Sequence, residues 1–359
     1  MATIMHANKT SSGRFFEHFT LNEVIQHATP RTITEGDVAL YIALTGSRNP
    51  LHCSEPFAQS VGYQSAPIDD LLTFHIAFGK TVPDISVNAV ANLGYADVRF
   101  LQPVSVGDTL STSSQVIGLK QNSNGKNGVV YVRSTSVNQH HQPVLSWVRW
   151  VMVHKNDANA PAPETTIPEL PTFVVANQLN IPAYLTASNF DQQATGGQFY
   201  WDDYQAGERI NHAAGMTINQ SDHSLATRLY QNNARLHFDA HLMQSSSFGK
   251  RLVYGGIVIS ACRALSYEGL ENAISIVAIN AGTHANPCFT GDTIYTFTEV
   301  LDRWELPNRS DIGALRLRMV GIKNMSSADL AETKQFNSYH PNVVLDLDYT
   351  VLMPRKGNQ

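Results

Sequence analysis

The sequence predicts an α+β chain built as two tandem copies of one helix-and-sheet unit. Three observations predict it. Asp37 and Asp222 lie 185 residues apart, His52 and His237 also 185, and Gly107 and Gly291 lie 184 apart; anchors sharing one offset mark an internal repeat. Each half carries apolar helical runs and several alternating runs that read as antiparallel strands. Between the halves, residues 155–171 are rich in Pro, Ala and Glu without periodicity and read as a linker. The expected organisation is an amino-terminal domain over 1–154, the linker 155–171 and a carboxy-terminal domain over 172–359.

In the first copy, Phe15 to Ile25 reads as a lead-in. Thr34-Glu-Gly-Asp37 opens an apolar helix through Leu40, Tyr41, Ile42 and Leu44, and a second helix is expected over Ile68 to Lys80. Strands are expected over Val87 to Leu101, Thr109 to Leu119, Gly128 to Asn138 and Val144 to His154. In the second copy, Thr217 and Gln220 have capping-box spacing, so a helix is expected from Thr217. It would carry Ile218, Leu225, Leu229 and Tyr230 and stop at Gln231-Asn232-Asn233. A further helix is expected from about Gly255, where Ile257 to Leu270 is apolar and rich in small residues. Tyr295 to Trp304, Gly313 to Ile322 and Val343 to Met353 complete the strands.

Composition limits the function classes. A length of 359 residues exceeds a typical single domain, and 43% hydrophobic with 15% charged residues suits a soluble globular chain. The formal net charge of -5 argues against nucleic acid as the main partner. Met1 to Gly13 is polar and lacks an apolar signal core, and no run of about 18 apolar residues suggests a membrane span. Cys53, Cys262 and Cys288 are widely spaced with no CxxC, which fits a reducing cytoplasm.

Each copy places a histidine in a loop between its two helices. The second reads Asn232-Asn-Ala-Arg235-Leu-His237-Phe-Asp239, followed by Gly255 at a helix start. The first reads Ser47-Arg48-Asn49-Pro50-Leu51-His52. This arrangement resembles the MaoC-like, (R)-specific enoyl-CoA hydratase family, whose loop runs Asp-x-Asn-Pro-x-His and precedes a glycine opening the central helix. His237, Asp239 and Gly255 fit that pattern, while Asn232 and Ser47 stand where the family has its Asp. Ala28 to Tyr41, Ala66 to Leu72, Asn88 to Tyr95 and Val130 to Thr135, with the Pro/Ala linker, resemble more narrowly the mesaconyl-CoA hydratases of that family. The resemblance implies a double hot-dog fold, in which a long helix is wrapped by antiparallel sheet in each copy. It implies interconversion of mesaconyl-CoA and β-methylmalyl-CoA in acetate assimilation through the ethylmalonyl-CoA pathway. It implies no cofactor, coenzyme A being part of the substrate.

Hydration of an enoyl thioester puts hydroxide on the β-carbon, a proton on the α-carbon and transient negative charge on the thioester oxygen. It needs a base for water and donors aimed at that oxygen. His237 is the candidate base, later returning the proton. The Gly255 N–H at a helix start is the candidate donor. Asn232 is expected to hold water and Asp239 to orient His237 or fix the loop. Arg235 and Tyr254 are candidate substrate contacts. In the first copy Asp70 stands where the second has Gly255, and a carboxylate there opposes the developing charge. The second copy is therefore expected to be catalytic, with Ser47, Arg48, Asn49 and His52 shaping the acyl pocket.

Structural readings stand beside these. His52 can be kept for packing, Gly255-Gly256 for close helix approach, and Asp69-Asp70 as charges complementing a helix dipole. His140-His141 has no carboxylate or Cys at ligand spacing and reads as a solvated turn, and no metal is expected. Arg99, Arg133 and Arg149 are expected on solvated strand faces. A hydratase of plain enoyl-CoA, a hot-dog thioesterase and a non-catalytic acyl-CoA binder are the competing functions. A homodimer is expected at fold level.

Overall fold

The structure, a computed structural model, describes residues 9–357. Most of the polar amino-terminal stretch, residues 1–8, and residues 358–359 lie outside the described residues. The first copy contains β1 (Val24–Thr32), α1 (Glu35–Thr45), a one-turn helix Pro50–Cys53 and α2 (Asp70–Ile85). Four strands follow: β2 (Ala89–Phe100), β3 (Thr109–Gln121), β4 (Asn127–Val137) and β5 (Pro143–His154). The second copy repeats that order with β6 (Arg209–Asn211), β7 (Met216–Thr217), α3 (Gln220–Leu229), a one-turn helix Arg235–Phe238 and α4 (Gly255–Leu265). It closes with β8 (Ile276–Thr283), β9 (Thr293–Leu306), β10 (Arg309–Lys323) and β11 (Val343–Pro354).

These eleven strands join one antiparallel sheet in the order β1-β3-β4-β5-β2-β8-β11-β10-β9-β6, with β7 on β9. The copies meet edge to edge where β2 pairs with β8, Tyr95 lying opposite Gly282 and Arg99 opposite Ala278. Each copy thereby covers an edge that would otherwise be open. The central helices are buried on nearly every face, as their all-round apolar sequence requires: Leu71 to Val82 in α2 and Gly256 to Cys262 in α4 are buried. They meet at His75, whose Nε2 lies 2.9 Å from Ser260 Oγ. The second-copy loop crosses α2 closely, because a Cβ on Gly79 would sit 1.8 Å from the Tyr230 carbonyl oxygen. The copies thus form the double hot-dog.

The caps show how the repeat is written. Thr34 caps α1 by accepting the Asp37 N–H, and Thr32 Oγ1 lies 2.7 Å from Thr109 Oγ1. In the second copy Thr217 matches Thr32, not Thr34: it sits in β7 with its Oγ1 2.7 Å from Thr293 Oγ1. Helix α3 therefore starts at Gln220 instead of Thr217, with Asn219 as its cap and Asp222 completing the box. Strands β1 and β8 escape the sequence pattern. Strand β8 is buried on both faces over Ile276 to Asn280, so its sequence lacks the alternation that marks a half-exposed strand. His27 and His212 are likewise equivalent. His27 bridges Asp84 Oδ2 (2.7 Å) and Ser114 Oγ (2.8 Å), while His212 bridges the Glu268 carbonyl (2.7 Å) and Thr298 Oγ1 (2.9 Å).

The segment 155–171 is mostly exposed and runs beside β3, where Leu119 and Thr166 exchange backbone hydrogen bonds of 2.9 and 2.8 Å. Asp97 pairs with both Arg99 (2.6 Å) and Arg133 (2.9 Å). Arg149 departs from the expected solvated face: it is 0% exposed on the inner side of β5.

Candidate active site

A cavity of ≈ 280 Å³ lies where the second-copy loop meets the first copy. The loop contributes Asn232, Ala234 and His237, and the start of α4 contributes Tyr254, Gly255 and Val258. Beside β8 stands His284; across the seam α2 contributes Phe78 and Val82, β2 Asn92 and Tyr95, and β5 Arg149. Exposed Val90, Phe248 and Pro287 mark the mouth. Both copies therefore build one site.

His237 sits in the turn Arg235–Phe238, with its Nδ1 2.9 Å from the Leu252 carbonyl oxygen. A carbonyl only accepts, so Nδ1 carries the proton and Nε2 presents a lone pair. Nε2 has no protein partner among the described residues. Burial pulls the imidazole down to about 4, so it is neutral at pH 7. Asn232 is 1% exposed, its Oδ1 accepting the Ala234 N–H at 3.2 Å. The Tyr254 N–H donates to His223 Nε2 at 3.4 Å. His223, which the sequence reading passed over, thus fixes the entry to α4.

Gly255 is the first residue of α4, whose opening N–H groups have no intrahelical partner. A Cβ there would sit 2.2 Å from His284 Cε1. The glycine thus lets the His284 ring lie against the helix start. His284 Nε2 lies 2.7 Å from the Tyr95 hydroxyl, a bond across the seam between copies.

The remaining candidates lie elsewhere. Asp239 is exposed and caps the turn Ala240–Met243 through the Leu242 N–H at 3.0 Å. It fixes the loop, while the Leu252 carbonyl, not Asp239, orients His237. Arg235 is exposed and does not line the cavity. Ser47, Arg48, Asn49 and His52 do not reach the cavity either. They line a separate void of ≈ 20 Å³ with Asp69, Asp70 and Arg263, room for about one water. There Asn49 donates to the Ala273 and Ile274 carbonyls (3.3 and 3.0 Å), and Asp70 accepts the Ile276 N–H at 2.8 Å. His52 Nδ1 lies 3.1 Å from the Pro67 carbonyl. The first-copy loop is spent on gripping the second copy, which leaves its site closed. Asp69 caps α2 through the Leu71 N–H at 2.9 Å. Among the described residues no group of His, Cys, Asp and Glu is arranged to hold a metal, and no helix is long and apolar enough to cross a membrane.

A sequence model of the mesaconyl-CoA hydratase family matches residues 1–328. The chain belongs to that family. It is 57% identical over 349 residues to a β-methylmalyl-CoA dehydratase of Chloroflexus aurantiacus, covering 97% of this chain and 99% of that one. It is 52% identical over 347 residues to a mesaconyl-CoA hydratase of Cereibacter sphaeroides, covering 97% of this chain and 100% of the other. The crystal structure of a MaoC-domain dehydratase from Chloroflexus aurantiacus superposes with a TM-score of 0.95 at 56% identity, covering 98% of this chain and 100% of that one. A Mycobacterium tuberculosis double hot-dog protein shares the fold alone, with a TM-score of 0.72 at 23% identity over 95% of this chain and 99% of that one. In this mesaconyl-CoA hydratase family member the cavity lies at the second-copy histidine.

Proposed function

We propose that this chain catalyses the reversible hydration of mesaconyl-CoA to β-methylmalyl-CoA. The observation that carries the reading is His237: neutral, held through Nδ1, with Nε2 free in a cavity that also holds the start of a buried helix. The thioester carbonyl lies against the Gly255 N–H, where the helix dipole favours developing negative charge. His237 Nε2 takes a proton from water as the oxygen bonds to the β-carbon. The electron pair of the double bond moves toward the thioester oxygen, and His237 then returns the proton to the α-carbon. The bound carboxylate and the enolate both raise the affinity of His237 for its proton during the reaction, offsetting its depressed resting value.

Coenzyme A belongs to the substrate, and the chain needs no further cofactor. By the same family likeness the enzyme acts in the cytoplasm, as a homodimer, in the ethylmalonyl-CoA pathway. Incubation with mesaconyl-CoA tests the reaction. Loss of the conjugated enoyl-thioester absorbance with no free thiol is the expected result. Release of thiol would indicate a thioesterase, and no change at all a binder; either would overturn the proposal.

A further inference from the structure

We propose that Arg149 is the carboxylate anchor of this site, binding the carboxylate on the β-carbon of the enoyl thioester together with the Asn92 side-chain amide. The proposal rests on the hydratase reading above and names the residues that make the site select an acidic acyl group.

Arg149 lies on β5, fully buried, and lines the cavity. Only part of its guanidinium is engaged. Nη2 donates to Thr81 Oγ1 (2.8 Å) and Ser86 Oγ (3.5 Å), and the plane lies over the Phe78 ring at 4.3 Å. Nε is buried without a partner, and Nη1 has none among the described residues. Nor does any carboxylate lie within ion-pair distance of Arg149 among the described residues. The strand arginines elsewhere are answered: Arg316 pairs with Asp348 at 2.5 Å, Arg318 with Asp346 at 2.8 Å, and Arg99 and Arg133 with Asp97. A desolvated cation without its counter-ion is costly, and is kept where a ligand supplies the missing charge.

Asn92 makes a second, independent observation. It lies on β2, and both its side-chain polar atoms are buried without partners while the residue lines the same cavity. A purely structural Arg149 would account for Nη2 and the stacked face. It leaves Nε, Nη1 and the Asn92 amide unexplained. An unpartnered guanidinium N–H can donate to one carboxylate oxygen and the Asn92 amide to the other.

The placement suits the chemistry. From Arg149 the wall runs through Phe78 to Tyr254, ring centroids 6.2 Å apart, and from Tyr254 to His237, 5.5 Å apart. The carboxylate of mesaconyl-CoA is bonded to the carbon that receives hydroxide. Holding it at the buried end, on the wall that also carries His237, leaves the thioester toward the mouth. It also pairs the carboxylate charge before negative charge develops on the thioester oxygen.

Isothermal titration with two saturated acyl-CoAs tests this. Succinyl-CoA carries the terminal carboxylate; butyryl-CoA replaces it by methyl. The unaltered enzyme should bind succinyl-CoA tighter by roughly 30-fold or more. Arg149→Met should erase that ratio, and Arg149→Lys, which keeps the charge but not the planar guanidinium, should retain part of it. Equal affinity of the unaltered enzyme for the two ligands overturns the proposal without any variant having to fold. Equal weakening of both ligands by Arg149→Met overturns it too, since that is what a packing role predicts. An enzyme that discriminates the two yet does not hydrate mesaconyl-CoA would keep the anchor and sink the proposed reaction, so the two failures are distinguishable.

Discussion

Asn232 shows how one atom sets the electrostatics of the site. Its Oδ1 accepts the Ala234 N–H just ahead of the His237 turn, a role an isosteric aspartate fills equally well. The amide therefore matters for its missing charge. Two like charges about 4 Å apart cost roughly 4 kcal/mol at an effective dielectric of about 20. Asn232→Asp should lower activity on mesaconyl-CoA while activity on uncharged crotonyl-CoA falls far less or rises. About one to two orders of magnitude of preference should be lost in kcat/KM, allowing for screening. An equal drop for both thioesters would show that the amide serves loop geometry alone. At this scale the sequence revealed the residues that sit in the repeated loop, because the copies could be laid against each other. It hid those that become neighbours only across the seam, Tyr95 and His284. Arg149 was readable in principle: it shares strand parity with Leu145, Trp147, Val151 and Val153, all buried. Its charge alone sent it to the solvated face.

Among the elements, helices announced by a cap or by all-round apolarity were legible, and so were strands set off by glycine turns. Strand β8 was not, because its run is apolar on both faces and shows no strand alternation. The connection between copies was readable as a loop from its composition, but its pairing with β3 was not, since a single bridge at Thr166 leaves no periodic trace. That bridge and the contacts of Glu17 with the Asn156 and Asp157 N–H groups are few beside the ladders on either side. Limited proteolysis should therefore nick residues 155–171 first. The two fragments should stay together, because β2 and β8 pair and α2 packs on α4. First cleavage within residues 87–154, or fragments that separate on a sizing column, would contradict this.

Over the whole molecule, two copies of one unit have divided their labour. The first-copy loop closes on the second copy, and the second-copy loop opens on a cavity walled by both. That division was only partly legible: Asp70 in place of a glycine hinted at it, whereas the collapse of the Ser47 to His52 loop into a packing contact depends on tertiary contacts alone. Burying so many histidines has a consequence for pH. Burial pulls His75 and His223 down to about 3, and His212, His237 and His284 to about 4. The unfolded chain takes up protons near 6.5 that the folded chain refuses, so this stability is complete above about pH 6.5 and is lost as pH falls toward 4. Asp70, raised to about 6 by burial, works in the opposite direction, one group against several histidines. Calorimetry should show Tm falling steadily from pH 7 to pH 4; a flat or rising Tm would contradict the burial account. The central claim, that the single open site belongs to the second copy, is tested most directly by the steady-state rate on mesaconyl-CoA of His237→Ala beside His52→Ala, both shown to be folded. The account predicts a fall in kcat of roughly 10²–10⁴-fold for His237→Ala and a much smaller one for His52→Ala; a more severe loss in His52→Ala would contradict it.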